Sequence, residues 1–160
     1  MGERKDAALA FEKRLPPVTR RPATAPGAET ESRLEVAVVF TSPAATMAAL
    51  RKAGVLASSL NARINLLVPQ VVPYPAPLES PPVLLDFSEQ WCREIAAQSP
   101  VETAVRIFLC RDPAGTLQSV LAPRSLVVIS GRKRWWTTRE ESLARKLRRS
   151  GHEVFFIETE

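Results

Sequence analysis

The feature that most constrains the fold is a repeated alternation of short apolar runs with segments of helical spacing. Consecutive apolar positions rich in β-branched residues are typical of strands buried on both faces of a parallel sheet. Five such runs follow residue 33 and cover residues 35–40, 64–72, 101–110, 126–129 and 154–157. The alternation predicts an α/β, Rossmann-like three-layer sandwich, in which helices cover both faces of a five-stranded, mostly parallel sheet.

The predicted helices carry recognisable end signals. Ser42 followed by Pro43 places a hydroxyl N-cap before a proline at the first helical position. This helix is expected to end near Asn61, because asparagine tolerates the left-handed conformation. Thr138 and Glu141 have the spacing of a capping box. These signals define the start and end of the first predicted helix and the start of the last.

Proline positions set further limits inside the domain. Pro69 lies in the second predicted strand, and since proline has no N–H to donate, we expect strand pairing to end near it. Five prolines in residues 73–82 predict an extended connection. The second predicted helix then begins at Pro81 or Pro82 and ends at Ser99.

The first 33 residues differ from the rest of the chain. Their charged and small residues are interrupted by Pro16, Pro17, Pro22 and Pro26. No periodic apolar stripe is long enough to dock on a core, so residues 1–33 are expected to be a disordered N-terminal tail, with a short docking motif as the alternative. The folded domain is predicted to occupy residues 34–160.

The composition excludes several classes of site. Two cysteines and one histidine in 160 residues cannot form a disulfide framework or a four-cysteine zinc site. Cys92 and Cys110 lie in or beside apolar segments and are expected to be inert thiols. His152 has no evident catalytic companion. We therefore identify no catalytic set and no metal site, and we expect a protein that is not an enzyme.

Charge is concentrated in one segment. The net charge is +5; residues 131–151 hold eight basic and two acidic residues, whereas residues 34–130 hold seven of each. A neutral domain with one basic segment argues against general nucleic-acid binding. No run of roughly 18 apolar residues and no apolar leader occurs, so we expect a cytoplasmic protein without a membrane span.

Two stretches have a pattern known from one protein family. The first links residues 42–45 (SPAA) to residues 60–68, and the second links residues 111–114 (RDPA) to residues 124–131. Together they resemble the universal stress protein family over roughly residues 34–131. The resemblance implies an adenine-nucleotide α-hydrolase-like fold with strand order 3-2-1-4-5. It also implies ATP binding, which is frequent in the family.

The sequence departs from the family's nucleotide-binding pattern in three places. Members that bind nucleotide have an acid at the end of the first strand, where this chain has Phe40 and Thr41. The family's nucleotide-binding proteins also have a glycine motif after the fourth strand. Gly131 matches its first glycine, but Arg134 stands at the second glycine, and residues 144–145 (Ala-Arg) stand where the motif has glycine and serine. We therefore predict a non-catalytic regulatory or interaction domain of the universal stress type with no cofactor. The alternative is a domain that binds ATP or AMP.

The family's strand order also predicts a crevice. In open α/β sheets, ligands bind beyond the carboxyl ends of the strands at the point where strand order reverses, here between the first and fourth predicted strands. The predicted cofactor-binding residues at these ends are Thr41, Ser42, Ser130, Gly131, Arg132 and Arg134. Backbone N–H groups and guanidinium groups suit an adenine nucleotide or another anion. On the alternative interpretation, Thr41 and Ser42 only cap a helix.

Residues 132–136 (RKRWW) form the most unusual segment of the chain. Basic residues beside tryptophans bind phosphates, stack on bases or enter a membrane interface. A solvated turn with a tryptophan lid, a contact with an unknown protein partner, and a nucleotide or nucleic-acid site are the alternatives. Because the last strand, 154–157, lies at a sheet edge in the family's order, we expect a homodimer through that edge with Trp136 at its rim.

Overall fold

The protein is an α/β sandwich with one six-stranded sheet. The computed structural model describes residues 11–18, 34–72, 85–99, 101–132 and 134–159. The elements within these ranges are, in chain order, β1 (Phe11–Val18), β2 (Glu35–Val39), α1 (Pro43–Leu60), β3 (Arg63–Val71), α2 (Leu85–Ala97), β4 (Thr103–Cys110), α3 (Pro113–Val120), β5 (Leu126–Arg132), α4 (Arg139–Arg149) and β6 (Glu153–Thr159). The proline-rich connection predicted for residues 73–82 lies outside the described residues.

The order of the strands is β1-β4-β3-β2-β5-β6. The strands β2 to β6 are parallel to one another. The remaining strand, β1, pairs antiparallel with β4. The five parallel strands therefore have the order 3-2-1-4-5 in the numbering of the predicted strands, which confirms the predicted fold class. Since the chain passes outward from β2 to β3 and β4 and then returns across the sheet to β5 on the other side of β2, the reversal of strand order lies between β2 and β5.

Two apolar layers hold the helices on opposite faces of the sheet. On one face α1 and α2 pack on the sheet through residues that include Ala49, Leu50 and Ile95. On the other face α3 and α4 pack through Leu117 and Leu147. Helices thus cover both faces, as the apolar runs of the strands require. No helix among the described residues is long and apolar enough to cross a membrane.

The predicted helix ends are present in the structure. The Ser42 hydroxyl oxygen accepts a hydrogen bond from the Ala45 N–H at 3.4 Å, and Asn61 adopts the left-handed conformation with φ of 51°. Thr138 and Glu141 form the reciprocal bonds of a capping box at 3.2 and 3.4 Å. Local sequence therefore sets the boundaries of the two helices that flank the candidate site.

Pro69 does not end strand β3, contrary to the prediction. Pairing with β4 continues to Val71, whereas pairing with β2 ends at Leu67, whose carbonyl accepts from Phe40 at 2.9 Å. Backbone groups of alternate residues point to opposite neighbours, so position 69 faces the side of β2, as Leu67 does. Because β2 has already ended there, the missing N–H of Pro69 removes no ladder bond.

The prediction of a disordered tail is wrong for residues Phe11–Val18, which form the edge strand β1. Their backbone pairs antiparallel with β4, from Phe11 opposite Leu109 to Val18 opposite Thr103, and the register shifts between Leu15 and Val18, where the two prolines lie. The outer edge of β4 offers backbone donors and acceptors that a strand without an apolar stripe can pair with. Residues 1–10 and 19–33 lie outside the described residues.

Deleting residues 1–18 is expected to lower the free energy of unfolding by roughly 1–3 kcal/mol, since the β1–β4 hydrogen bonds are lost. It also exposes the β4 edge, so aggregation is expected to increase. Urea unfolding and light scattering measure the two effects. Deleting residues 1–10 alone is the control and leaves β1 in place. Equal stability of the two shortened chains contradicts the pairing of β1 with β4.

Candidate functional site

The candidate site lies where β2 and β5 end side by side. The two strands are parallel neighbours, with Val39 opposite Ile129 at the end of their ladder. Thr41 and Ser42 follow β2, and Ser130 and Gly131 are among the last three residues of β5. The structure thus brings these predicted site residues together at the point where strand order reverses.

The hydroxyl groups of this crevice are bonded to the protein itself. The Thr41 hydroxyl donates to the Ser130 carbonyl at 2.9 Å, and the Thr41 N–H donates to the Thr46 hydroxyl oxygen at 3.1 Å. The buried Ser130 hydroxyl donates to the Ala45 carbonyl in the first turn of α1. The Ser42 hydroxyl is occupied as the N-cap of α1. These bonds tie β2, β5 and α1 to one another.

Thr46 is the member of this network that sequence reasoning did not identify. It is fully buried in the first turn of α1, and its hydroxyl accepts from the backbone of Thr41. The sequence feature that could have identified Thr46 is a single threonine in the alanine-rich start of α1, residues 44–49. A polar residue on the inward face of such a turn implies a hydrogen-bond partner, because buried hydroxyls are paired.

Gly131 contacts the protein and not an open crevice. A Cβ atom added at this position would lie 3.0 Å from Cβ of Glu140 and 3.1 Å from Cζ of Phe156. Contacts of this length are tighter than nine in ten real Cβ contacts, so a side chain here would push Glu140 or Phe156 back by a few tenths of an ångström, whereas glycine lets α4 and β6 pack closely on β5. The structural role of Gly131 is therefore close packing between elements.

The last two positions of the family's glycine motif, Ala144 and Arg145, lie inside a helix in this protein. Helix α4 begins at Arg139 under the Thr138 cap, so Ala144 falls in its second turn and is buried against the sheet. Helix positions past the first four N–H groups bond within the helix. Ala144 and Arg145 therefore present no backbone N–H groups to a phosphate.

Arg132 is the last residue of β5, and Arg134 lies just beyond it. Both are exposed, and the Arg134 guanidinium carbon lies 5.8 Å from the centre of the Trp136 ring. Trp135 is 100 % exposed and Trp136 is 63 % exposed. Lys133 lies outside the described residues. The structure thus places Arg132 at the end of β5 and Arg134 in the basic, aromatic loop that follows.

A groove of about 270 Å³ lies on α4 and β6, away from the crevice. It is lined by Glu141, Ala144, Arg145, Arg148 and Phe156. Charged groups of both signs line it. Among the described residues no group of three or more histidine, cysteine, aspartate or glutamate side chains is placed to hold a metal ion.

The two cysteines are unsuited to nucleophilic chemistry. Burial, with a smaller contribution from the Glu89 carboxylate, raises the pKa of Cys92 to about 11. Burial also raises the pKa of Cys110, against a hydrogen bond with Thr116 that lowers it. Since the thiolate is the reactive form, both thiols are held unreactive at neutral pH.

The fold can now be compared with known proteins. No protein-family model matches the sequence, and no curated protein matches it. The solved structure of a universal stress protein from Archaeoglobus fulgidus is similar to this chain, with 14% identity, a TM-score of 0.58 and coverage of 78% of this chain and 93% of that chain. A protein from the universal stress protein family of Burkholderia pseudomallei gives 24% identity, a TM-score of 0.54 and coverage of 78% and 96%.

A third structure, of a universal stress protein in complex with cAMP, is 18% identical with a TM-score of 0.45 and covers 81% of this chain and 100% of that chain. The first two similarities extend over nearly the whole of the solved chains. The chain therefore has the fold of the universal stress proteins, as the resemblance of its two stretches implied. At sequence identities of 14% and 24%, the similarity shows a shared fold and does not show a shared binding site.

Replacing Gly131 with alanine is expected to destabilise the protein by roughly 1–3 kcal/mol, because the added methyl group overpacks against Glu140 and Phe156. Urea unfolding measures the change. Arg132→Ala, at the exposed neighbouring position, is the control and is expected to stay within about 0.5 kcal/mol of the wild type. Unchanged stability of Gly131→Ala contradicts the packing role.

Proposed function

We propose that this protein is a non-catalytic regulatory or interaction domain of the universal stress type, located in the cytoplasm, that does not bind ATP in the family's manner. The observation that supports this most is the closed hydrogen-bond network at the candidate site. The hydroxyls of Thr41 and Ser130 bond to backbone carbonyls of the protein itself. A ligand would have to break these bonds before it gained its own.

The residue at the end of β2 supports the same proposal. Nucleotide-binding members of the family have an acid near this position, whereas Phe40 is apolar and partly buried. Its ring packs edge-to-face on Trp91 of α2, with the ring centres 5.1 Å apart. Two aromatic rings packed edge-to-face gain from mutual burial but offer no carboxylate to a ligand. The place of the acid is taken by a hydrophobic contact.

The hydrogen bonds of the candidate nucleophiles support the proposal that the domain is not catalytic. The hydroxyls of Thr41, Ser42 and Ser130 serve in caps and backbone bonds, and none is bonded to a histidine. The single histidine, His152, uses Nδ1 to accept the Ser125 N–H at 3.1 Å, at the amino end of β5. A hydroxyl nucleophile requires an adjacent base, and this arrangement provides none.

Millimolar Mg-ATP is expected to leave the melting temperature unchanged. A ligand at about 100 times its Kd stabilises the native state by about 2.7 kcal/mol, which for a chain of this size raises Tm by roughly 5–10 °C. Differential scanning fluorimetry with ATP, AMP and cAMP measures the shift. A shift of several degrees contradicts the proposal.

The alternative function, binding of an adenine nucleotide or another anion, predicts a second result in the same assay. Arg132 and Arg134 are exposed beside the crevice and would supply the charge. A shift that the Arg132→Gln/Arg134→Gln variant removes identifies that alternative. Arg145→Gln/Arg149→Gln, which removes the same charge from α4, is the matched control and retains the shift.

We also propose that the domain forms a homodimer through the edge of β6. The Glu153 N–H donates to the Ser125 carbonyl, on the side of β5. Because the backbone groups of alternate residues point to opposite sides of a strand, those of Val154 and Phe156 point to the outer side. Arg148 donates to the Val154 carbonyl at 3.0 Å, so that acceptor is already occupied, and the N–H of Phe156 faces the same outer side. The two edge strands of the described sheet are β1 and β6, and we propose that the second copy adds at β6, where the N–H of Phe156 faces outward.

Phe156→Pro is expected to weaken such a dimer about 30-fold, because each copy loses one outward N–H and so about 1 kcal/mol of hydrogen bonding. Phe156→Ala is the matched control, since it also loses the ring but keeps the N–H. Sedimentation equilibrium at micromolar concentration compares the two. A wild-type monomer, or equal dimer affinity of the two variants, contradicts pairing through this edge.

A further inference from the structure

The loop between β5 and α4 exposes two adjacent tryptophans beside arginines, and the functions above make no use of the tryptophans. Trp135 is 100 % exposed and Trp136 is 63 % exposed. Large aromatic side chains are normally buried at least in part, since full exposure forgoes the gain of removing their apolar area from water. We propose that this loop docks the protein on an anionic lipid surface.

The loop is held at both ends in a position that keeps the tryptophans outside. On one side, Arg132 still pairs with Thr159 of β6, and the close packing at Gly131 fixes the end of β5. On the other side, the Thr138 capping box fixes the start of α4. With both ends anchored, Trp135 is presented to an external surface without any rearrangement of the fold.

The charge of the loop complements an anionic surface. Three arginines are exposed along this part of the chain: Arg132 at the end of β5, Arg134 in the loop and Arg139 at the start of α4. The Arg134 guanidinium lies over the Trp136 ring, which joins a cation to an aromatic face on one small surface. Tryptophan favours the headgroup region of a bilayer, and basic residues there are attracted to anionic lipids. Both requirements of interfacial binding are met by one loop.

A lipid surface fits this loop better than a nucleic acid does. Nucleic-acid binding needs a basic groove that follows the backbone, with aromatic side chains spaced to stack successive bases. Here the tryptophans are adjacent, and Arg149 lies about 15 Å along α4 from Arg139, too far to extend the loop's charge. The aliphatic Val71, at the carboxyl end of β3, is also exposed at this edge of the sheet and suits a hydrocarbon boundary.

The test uses the full chain and sedimented vesicles of phosphatidylcholine, with or without about 30 % phosphatidylserine. Binding is expected only with phosphatidylserine, together with a blue shift of tryptophan emission and a steep loss of binding with added salt. Trp135→Ala/Trp136→Ala is expected to bind at least about tenfold more weakly. Arg132→Gln/Arg134→Gln is expected to bind about 25-fold more weakly, at roughly fivefold per arginine.

Arg145→Gln/Arg149→Gln is the charge-matched control and is expected to bind vesicles as the wild type does. Far-ultraviolet circular dichroism checks that each variant is folded, and the exposure of Trp135 makes a folding defect at that position unexpected. Equal binding to both kinds of vesicle, or undiminished binding of the tryptophan variant, overturns the proposal. Binding to a single-stranded oligonucleotide without binding to vesicles also overturns it and assigns the loop to nucleic acid.

Discussion

The burial of β2 on both faces is the constraint on which the rest of the structure depends. Val36 and Val38 enter the core under α1 and α2, whereas Ala37 and Val39 enter the core under α3 and α4. A strand buried this way needs a parallel neighbour on each side, and β3 and β5 supply them. Their carboxyl ends then meet at one edge. The hydroxyl of Thr41 is left partly buried there, and it bonds to the adjacent strand.

Close packing at Gly131 connects the core to the outer surface. Without a Cβ at this position, α4 can approach β5 until Glu140 lies against the strand. The early start of α4 at Arg139 follows from the capping box, and together these two features place Ala144 inside the second turn. At that position the chain is a packed helix, whose backbone N–H groups bond within the helix. The chain between β5 and α4 is left short, and its tryptophans project outward.

The sequence predicted the parts of the structure that are determined locally. Apolar runs gave the five parallel strands, and the caps at Ser42 and Thr138 gave the starts of the flanking helices. Strand β1 was missed because an edge strand pairs through its backbone and needs no apolar pattern. The effect of Pro69 was missed because it depends on where the neighbouring β2 ends. Likewise, topology predicted that Thr41 and Ser130 are close, but not that the Thr41 hydroxyl donates to the Ser130 carbonyl and the Ser130 hydroxyl to the Ala45 carbonyl.

The hydrogen bonds at the ends of β2 and β5 give the hydroxyl groups of this crevice partners within the protein itself. A buried polar group left without a partner costs about 1–3 kcal/mol, so a crevice shaped for a ligand is less stable when empty unless water or protein replaces the ligand. Here the Ser130 hydroxyl bonds to α1, and the Phe40–Trp91 contact occupies the place of the acid with apolar surface. At this end of the sheet, the protein's own side chains therefore supply the contacts to these polar groups.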